Sequence, residues 1–237
     1  MNLVDTAEMY DNEELVGEAV RDCREKVLLV SKVLPSNASY RGTKLACERS
    51  LLKLGTEYID LYLLHWRGNV PFAETIAAFE TLKAQGKIRA IGASNVNLEQ
   101  VREYQVYGVL DAVQLRYSML DRLIEGPLLD YCREQNIAVL AHSPLEHGLL
   151  TGKIGMDREF SPDELRGGKI WFTPANRGRV LQVLAGWSDL TAKYGCDLAQ
   201  LVIAWTISQP GMTYTLCGAR KPDQVRDNVG ATRLVLD

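Results

Sequence analysis

Apolar residues of this chain form short continuous runs, separated by longer segments in which apolar and polar residues mix. Continuous apolar runs are typical of strands in a parallel sheet, because helices cover both faces of such a sheet. We therefore expect seven parallel strands. Their sequences are "MNLV" (1–4), "KVLLVSKV" (26–33), "YIDLYLLHW" (58–66), "IRAIGAS" (88–94), "DAVQLRYS" (111–118), "IAVLAHS" (137–143) and "MTYTLCG" (212–218).

The segments between these runs carry apolar residues at helical spacing. Alternating strands and helices indicate right-handed crossovers, in either an open doubly wound sheet or a closed (β/α)8 barrel. Because no G-x-G-x-x-G or P-loop motif opens a helix, the open dinucleotide-binding sheet is disfavoured. Helices are predicted over 12–24, 40–54, 71–85, 97–107, 122–135, 176–194, 197–209 and 222–230.

Composition narrows the class of protein. The 237 residues contain no low-complexity segment, charge block or linker, so we expect a single domain over 1–237. A net charge of −3 without a long basic run argues against nucleic acid or an anionic membrane as partner, and the apolar runs are too short to span a bilayer. No cationic start followed by an apolar block and a small-residue cleavage site is found before the first strand, so we do not expect secretion. Five scattered cysteines and three histidines without metal-ligand spacing predict a cytoplasmic protein with reduced thiols and no metal.

Polar side chains collect where the predicted strands end. Ligands bind at the carboxyl ends of the strands in parallel α/β folds, so residues at these ends are expected to surround one site. The longest irregular segment, 144–176, starts at such an end, and loops of this length are usually functional. The residues at the strand ends are Asp5, Lys32, His65, Ser94, Asn95, Gln114, His142 and Ser143, with Tyr10 on the first loop.

The combination of Tyr10, Lys32, Asp5 and His65 suits proton transfer to a carbonyl or alcohol oxygen. A tyrosine ionises near pH 10, and a nearby ammonium is expected to lower its pKa while a carboxylate holds the ammonium in place. A neutral histidine can orient a carbonyl group. Taken singly, Asp5 is also explained as a turn residue and His65 as a core histidine, whereas a lysine in a buried strand is costly unless it is paired. Their joint placement favours a site.

At these residues the chain resembles the aldo-keto reductase superfamily, through ordered motifs that cover essentially the whole chain. "DTAEMYDNEELVG" is similar to the family motif that begins D-T-A-x-x-Y-G, "LVSKV" to its lysine strand, and "IDLYLLHW" to its histidine strand. "GKIRAIGASN" is similar to its serine-asparagine strand, "AHSPLEHGLLTGK" to A-Y-S-P-L-x-x-G-L-L-T-G-K, and "CGARKPDQVRDN" to G-A-R-x-P-x-Q-V-x-x-N. The resemblance implies a (β/α)8 TIM-type barrel and NADPH-dependent reduction of aldehydes or ketones without a metal.

The resemblance also implies roles residue by residue. Tyr10 would be the general acid, and Asp5, Lys32 and His65 would complete a catalytic tetrad. Cations after the last strand would pair with a 2′-phosphate, which favours NADPH over NADH, although a solvated turn is the alternative. The implied cofactor-binding residues are Ser94, Asn95 and Gln114 on the nicotinamide carboxamide; His142 on its ring; Ser143, Leu145, Gly148, Leu149 and Gly152 along the pyrophosphate; and Gly218, Ala219, Arg220, Lys221, Gln224 and Asn228 at the adenosine end.

Three departures from the family pattern matter. His142 stands where the family usually has a tyrosine that stacks on the nicotinamide, and Asp11 replaces the glycine after the catalytic tyrosine. The third concerns the hairpin, first strand and first helix that precede the D-T-A motif in the family. We expect a barrel that lacks its first βα unit, with about seven parallel strands and open edges through which a second copy would associate.

Functions of different classes therefore compete. The first is an NADP-dependent oxidoreductase acting on small-molecule carbonyl substrates, with NADH as the less expected cofactor. The alternative is a shortened, non-catalytic relative that binds nucleotide or a partner protein. A third is a fragment that folds only by pairing its open edges. A barrel isomerase of phosphate sugars fits the Tyr-Lys-Asp-His set less well than hydride transfer does. The complete tetrad favours the reductase.

Overall fold

A computed structural model describes residues 2–161 and 163–237. The predicted first strand begins at Met1 and the predicted long loop contains Pro162, and these two residues lie outside the described part. Within the described residues there are seven strands and nine α-helices. The predicted alternation of strands and helices is therefore confirmed.

The strands form one sheet whose order follows the order of the chain. From the first strand to the fifth, neighbours pair in parallel; Lys32, for example, is the register partner of Leu63, and Ser94 of Gln114. The strands are β1 (Leu3–Asp5), β2 (Leu28–Val33), β3 (Ile59–Leu64), β4 (Ile88–Ser94), β5 (Ala112–Arg116), β6 (Ala138–His142) and β7 (Tyr214–Leu216).

The helices agree with the apolar periodicity in most places. Those predicted over 40–54 and 222–230 have the predicted bounds, while the predicted helix over 122–135 begins only at Pro127, whose ring suits a first helical turn. The helices are α1 (Glu13–Val20), α2 (Tyr40–Leu54), α3 (Phe72–Ala84), α4 (Leu98–Gln105), α5 (Pro127–Glu134), α6 (Pro174–Ala185), α7 (Ser188–Tyr194), α8 (Leu198–Ser208) and α9 (Pro222–Gly230).

The prediction of one helix over 176–194 is wrong, because α6 ends at Ala185 and α7 starts at Ser188. The amides of Gly186 and Trp187 bond three residues back, to Val183 and Leu184. This tighter turn closes α6. Glycine is a weak helix former, so a helix break at Gly186 costs little, although the apolar spacing continues across it.

The chain divides into two compact units, which are described separately. The first contains the chain up to Leu115 together with Ile124–Leu140, and the second contains Arg116–Leu123 and Ala141–Asp237. The prediction of a single domain over 1–237 stays a prediction.

In the first unit, the strands are buried on both faces. All six residues of β3 are buried, and five of the six residues of β2 are buried as well. Among these apolar residues Ser31 and Lys32 are fully buried polar exceptions, and Asp60 is nearly so. Burial on both faces explains the continuous apolar runs, and it makes the polar exceptions the informative positions.

In the second unit, much of the loop after β6 is packed structure. Its residues Leu149, Leu150 and Ile154 belong to the same buried apolar cluster as Val180 and Leu184 of α6. The loop therefore has fixed anchor points from which its backbone can hold a defined shape. No helix in residues 2–161 and 163–237 combines the length and the apolar character that crossing a membrane requires.

Gly17 of α1 provides a test of the packing of α1 on α2. A methyl group at Gly17 would lie 2.3 Å from the carbonyl oxygen of Leu54. Relieving this clash would require the backbone at Leu54 to move. We expect Gly17→Ala to lower the free energy of unfolding by about 1–3 kcal/mol, measured by urea denaturation. Gly178 of α6 is the matched control, because an added methyl there meets only Met156 Sδ at 3.8 Å. Gly178→Ala should leave stability unchanged or raise it, and equal losses in both variants would contradict this packing.

Candidate active site

The centre of the first unit's polar cluster is the ammonium group of Lys32. Lys32 lies on β2 and is fully buried. Its Nζ donates hydrogen bonds to Asp5 Oδ2 at 2.6 Å and to the carbonyl oxygen of Thr6 at 2.8 Å. An ammonium can be buried at such a position only when it is paired, so Asp5 and Thr6 are the structural requirement for Lys32.

The Asp5 carboxylate joins three strands. Asp5 is the last residue of β1, and its Oδ1 accepts a hydrogen bond of 2.7 Å from Gln114 Nε2 on β5. With Oδ2 bonded to Lys32, both carboxylate oxygens are held. The side chain of Asp5 is 18% exposed, so the pair lies at the end of the strands and is reached by solvent from the Asp5 side.

Tyr10 stands over this pair. It ends a 3₁₀ turn, Glu8–Tyr10, and Asp11 follows in the left-handed conformation at φ 50°. The Tyr10 hydroxyl lies 3.4 Å from His65 Nε2, and the two rings meet edge to face at 5.5 Å. Lys32 Nζ lies 4.9 Å from the centroid of the Tyr10 ring. The four residues proposed as a tetrad from the sequence therefore lie together, and the hydroxyl belongs to a residue that is 47% exposed.

The electrostatics of Tyr10 differ from the sequence-based expectation. Burial and the negative charge of Asp5 raise the pKa of Tyr10 above its ordinary value. Burial lowers the pKa of Lys32, and the charge and hydrogen bond of Asp5 act in the opposite direction. The expected lowering of the Tyr10 pKa by Lys32 is wrong here, because Asp5 neutralises Lys32 at 2.6 Å while Lys32 lies farther from the phenol ring. Tyr10 is thus a protonated phenol at neutral pH.

Ser94, Asn95 and Gln114 adjoin the tetrad at the ends of β4 and β5. Asn95 has φ 55°, and its Nδ2 donates to Ser94 Oγ at 3.0 Å and to the carbonyl oxygen of His65 at 3.1 Å. The amide of Asn95 donates to the carbonyl oxygen of Gln114 at 2.9 Å. A hydroxyl and two side-chain amides offer both donors and acceptors, which is the set that a primary carboxamide such as that of nicotinamide requires.

The sequence analysis did not single out Glu8, which anchors the turn that carries Tyr10. Glu8 Oε1 accepts hydrogen bonds from the backbone amide of Leu34 at 2.5 Å and from Asn37 Nδ2 at 3.1 Å. Arg49 Nη2 lies 3.5 Å from the other oxygen. The sequence around Glu8 carries no signal of this role, since the partners of Glu8 come from the segment after β2 and from α2.

In the second unit, the segment predicted to bind pyrophosphate has an unusual backbone. Ser143, Gly148 and Gly152 have φ values of 60°, 94° and 70°. The His142 ring nitrogen Nδ1 lies 3.1 Å from Ser143 Oγ, and Leu149 is fully buried. Consecutive turns with positive φ can direct backbone N–H groups to one side, as anion-binding loops do, so this segment fits the phosphates of a dinucleotide.

The residues predicted for the adenosine end lie between β7 and α9. Gly218, Ala219 and Arg220 are exposed, and Gln224 Oε1 accepts a hydrogen bond of 2.7 Å from the backbone amide of Arg220. Gln224 therefore holds this loop itself, and Asn228 lies half-buried one turn further along α9. The exposed side chains of Arg220 and Lys221 suit an anion such as a ribose phosphate. No group of acids, histidines and cysteines that could hold a metal occurs among the described residues.

The buried Lys32–Asp5 pair leads to a prediction about the free energy of unfolding. We expect Asp5→Asn to lower the free energy of unfolding at neutral pH by about 3 kcal/mol, because it leaves a buried ammonium without its counter-charge. The folded-state pKa of Lys32, already below 10.5, then falls further. At pH values between the folded-state pKa of the variant and the higher one of the wild type, the unfolded variant binds a proton that the folded variant does not, so the deficit should shrink as the pH rises through this range below 10.5.

Denaturant titrations at several pH values measure this dependence. Asp11→Asn is the matched control, because Asp11 also pairs with a lysine, Lys53 at 3.2 Å, but its side chain is 91% exposed. Asparagine also tolerates the positive φ of this position. The control should change stability by less than about 1 kcal/mol at every pH. A deficit of Asp5→Asn that does not vary with pH would contradict the role of the buried ammonium.

Several known proteins are similar to this chain over nearly its whole length. An NADH-specific methylglyoxal reductase from Escherichia coli is 40% identical over 100% of this chain and 80% of its own length. An aldo-keto reductase from Klebsiella pneumoniae, solved in complex with NADPH, is 34% identical with a TM-score of 0.81, over 100% of this chain and 76% of that one. The glycerol dehydrogenase from Gluconobacter oxydans is 30% identical with a TM-score of 0.88, over 96% of this chain and 76% of its own.

These likenesses cover nearly the whole chain and confirm the predicted fold class, parallel strands with outer helices of the (β/α)8-barrel type. The sequence model of the aldo/keto reductase family matches residues 1–237. The chain therefore belongs to the aldo/keto reductase family of oxidoreductases.

Proposed function

We propose that this chain reduces small aldehydes or ketones to alcohols with NADPH, and that Tyr10 is its general acid. The observation that carries the proposal is the position of the Tyr10 hydroxyl, 3.4 Å from His65 Nε2 on a ring that lies over the Lys32–Asp5 pair. A phenol with a histidine and an ammonium beside it suits the protonation of an oxygen that becomes negative.

The proton step follows from the charges. When bound, a dihydronicotinamide supplies a hydride to the carbonyl carbon, and the carbonyl oxygen then needs a proton. Tyr10 holds that proton at neutral pH, since a tyrosine ordinarily ionises near pH 10 and the pKa of Tyr10 is raised further. Loss of the proton leaves a phenolate whose ring centroid lies 4.9 Å from Lys32 Nζ, and because Asp5 pairs with Lys32, this ammonium offsets only part of the new charge. His65 Nε2 is close enough to hold the carbonyl oxygen beside the phenol.

The cofactor roles follow from the chemistry of each group. Ser94, Asn95 and Gln114 would hold the carboxamide and thereby orient the nicotinamide ring. In the second unit, the segment from Ser143 to Gly152 would bind the pyrophosphate through backbone N–H groups. Arg220 and Lys221 would pair with the 2′-phosphate of NADPH.

A small reactive carbonyl such as methylglyoxal is the substrate class we propose. The Escherichia coli relative is by name a methylglyoxal reductase. Trp66 supports an apolar wall beside the acid, because its ring lies 4.8 Å from that of His65 and the residue is 38% exposed. A cytoplasmic location, and the expectation that neither nucleic acid nor a membrane is a partner, stay predictions.

Tyr10→Phe tests the chemistry. Removing the hydroxyl should lower kcat for methylglyoxal by about 10²–10⁴-fold, because the developing alkoxide loses its proton donor. The affinity for NADPH, measured by fluorescence quenching, should change little. Tyr107→Phe is the matched control, since Tyr107 is an exposed tyrosine in the same unit, and it should keep full activity.

An unchanged kcat in Tyr10→Phe would refute the acid role. Tight nucleotide binding by the wild-type chain without turnover of any reactive aldehyde would instead support the non-catalytic alternative.

Arg220→Ala tests the cofactor preference. NADPH affinity should fall about tenfold, as expected when one charged hydrogen bond to a phosphate is lost at an exposed site, while NADH affinity should stay the same. Arg226→Ala is the control, because Arg226 is an exposed arginine of α9 that pairs with Asp223. Titrations of NADPH and NADH in parallel give the result. Stronger binding of NADH than of NADPH by the wild-type chain would overturn the preference and match the cofactor named for the Escherichia coli relative.

A further inference from the structure

Glu146 is a fully buried acid that the proposed mechanism does not use. It lies in the second unit, within the segment proposed to bind pyrophosphate, at one of the two positions that the A-Y-S-P-L-x-x-G motif leaves open. Its Oε1 lies 2.5 Å from Arg116 Nη2, and Ser118 Oγ donates to its Oε2 at 3.4 Å. A buried carboxylate paired with an arginine needs an explanation.

Arg116 is itself held in place. Its Nε lies 3.0 Å from Asp121 Oδ2. The backbones of Ser118 and Asp121 exchange hydrogen bonds of 3.0 and 3.2 Å, and Ser118 Oγ accepts from the amide of Asp121 at 3.1 Å. Arg116 therefore presents a fixed guanidinium to Glu146.

The backbone at Glu146 is strained. Glu146, His147 and Gly148 have φ values of 43°, 52° and 94°. The two residues that are not glycine are strained in this region, and such conformations persist only where the surroundings enforce them. The ion pair with Arg116 holds the side chain of Glu146, and Arg166 Nε donates a hydrogen bond of 2.9 Å to the carbonyl oxygen of His147.

Three cations lie near this turn, of which Arg116 pairs with Glu146 and Asp121 and Arg166 pairs with Glu164. Burial and the charges of Lys169, Arg116 and Arg166 lower the pKa of His147, against the opposite effect of Glu146. A turn with successive positive φ values and cations beside it suits a bound diphosphate. Buried ion pairs contribute little to stability compared with apolar packing, so stability alone does not account for this pair.

We propose that Glu146 is a positioning residue for the pyrophosphate of the cofactor, and that its ion pair with Arg116 holds the Leu145–Gly148 turn in its anion-binding shape. This role rests on the proposed function, because it presupposes that the segment binds a dinucleotide. Arg116 has a second effect, since it neutralises a carboxylate that would otherwise repel the phosphates.

Glu146→Gln tests the proposal through binding alone. Glutamine keeps the size and the backbone preference of glutamate and removes the charge. We expect the affinity for NADP+, measured by calorimetry, to fall about tenfold. The affinity for 2′-AMP, which has no pyrophosphate, should stay within about twofold of wild type. NAD+ and adenosine are titrated in parallel, so that the comparison holds for either cofactor. Glu159→Gln, at an exposed acid of the same loop, is the control and should change neither affinity.

A double-mutant cycle with Arg116→Met separates the pair from general destabilisation. Each single variant should weaken NADP+ binding, and the double variant should be no weaker than the worse single one. Arg116→Lys keeps the charge and should lose less, which provides a second test if Arg116→Met unfolds.

Equal losses for NADP+ and 2′-AMP, additive single effects, or unchanged binding in folded Glu146→Gln would overturn the role of Glu146. Wild-type protein that binds none of the nucleotides would overturn the proposed cofactor site, and this role with it. The two failures are therefore distinguishable.

Discussion

A buried ammonium is the constraint on which the first unit's polar cluster depends. Lys32 is fully buried on a strand that is covered on both faces. Without a counter-charge its burial would cost several kcal/mol, so Asp5 and the carbonyl oxygen of Thr6 must meet it at the end of β1. Asp5 in turn accepts from Gln114 on β5. One buried charge thereby ties together the ends of three strands and defines where a substrate would sit.

The same pairing sets the acid chemistry. Because Asp5 neutralises Lys32, the ammonium does not draw the proton from Tyr10, and the pKa of the phenol stays above its usual value. In the proposed mechanism this is an advantage, since an alkoxide is far more basic than a phenolate and takes the proton readily. Any stabilisation of the phenolate by Lys32 would lower the pKa of Tyr10, so the raised pKa means that this effect is smaller than those of burial and Asp5. Lys32 therefore acts mainly by holding Asp5 at the end of β1.

Much of this arrangement was accessible from the sequence, for a physical reason. Strands that are buried on both faces leave few places for polar groups, so Asp5, Lys32 and His65 stood out at the strand ends and lie together in the structure. The break between α6 and α7 was missed because apolar spacing continues across Gly186. Glu8 was missed because its partners, the backbone amide of Leu34 just after β2 and Arg49 of α2, are far away in sequence. A short-range pattern carries no information about such partners.

Glu146 and Asp5 have one electrostatic feature in common. Asp5 and Glu146 are carboxylates near places where the proposed reaction brings further negative charge, an alkoxide in one unit and a diphosphate in the other. A bare carboxylate at either position would oppose that charge. Each is instead paired with a cation held close, Lys32 at 2.6 Å and Arg116 at 2.5 Å, although Arg116 also pairs with Asp121. The acid then serves as an anchor for the backbone or the ammonium around it, and its own charge opposes the incoming anion less.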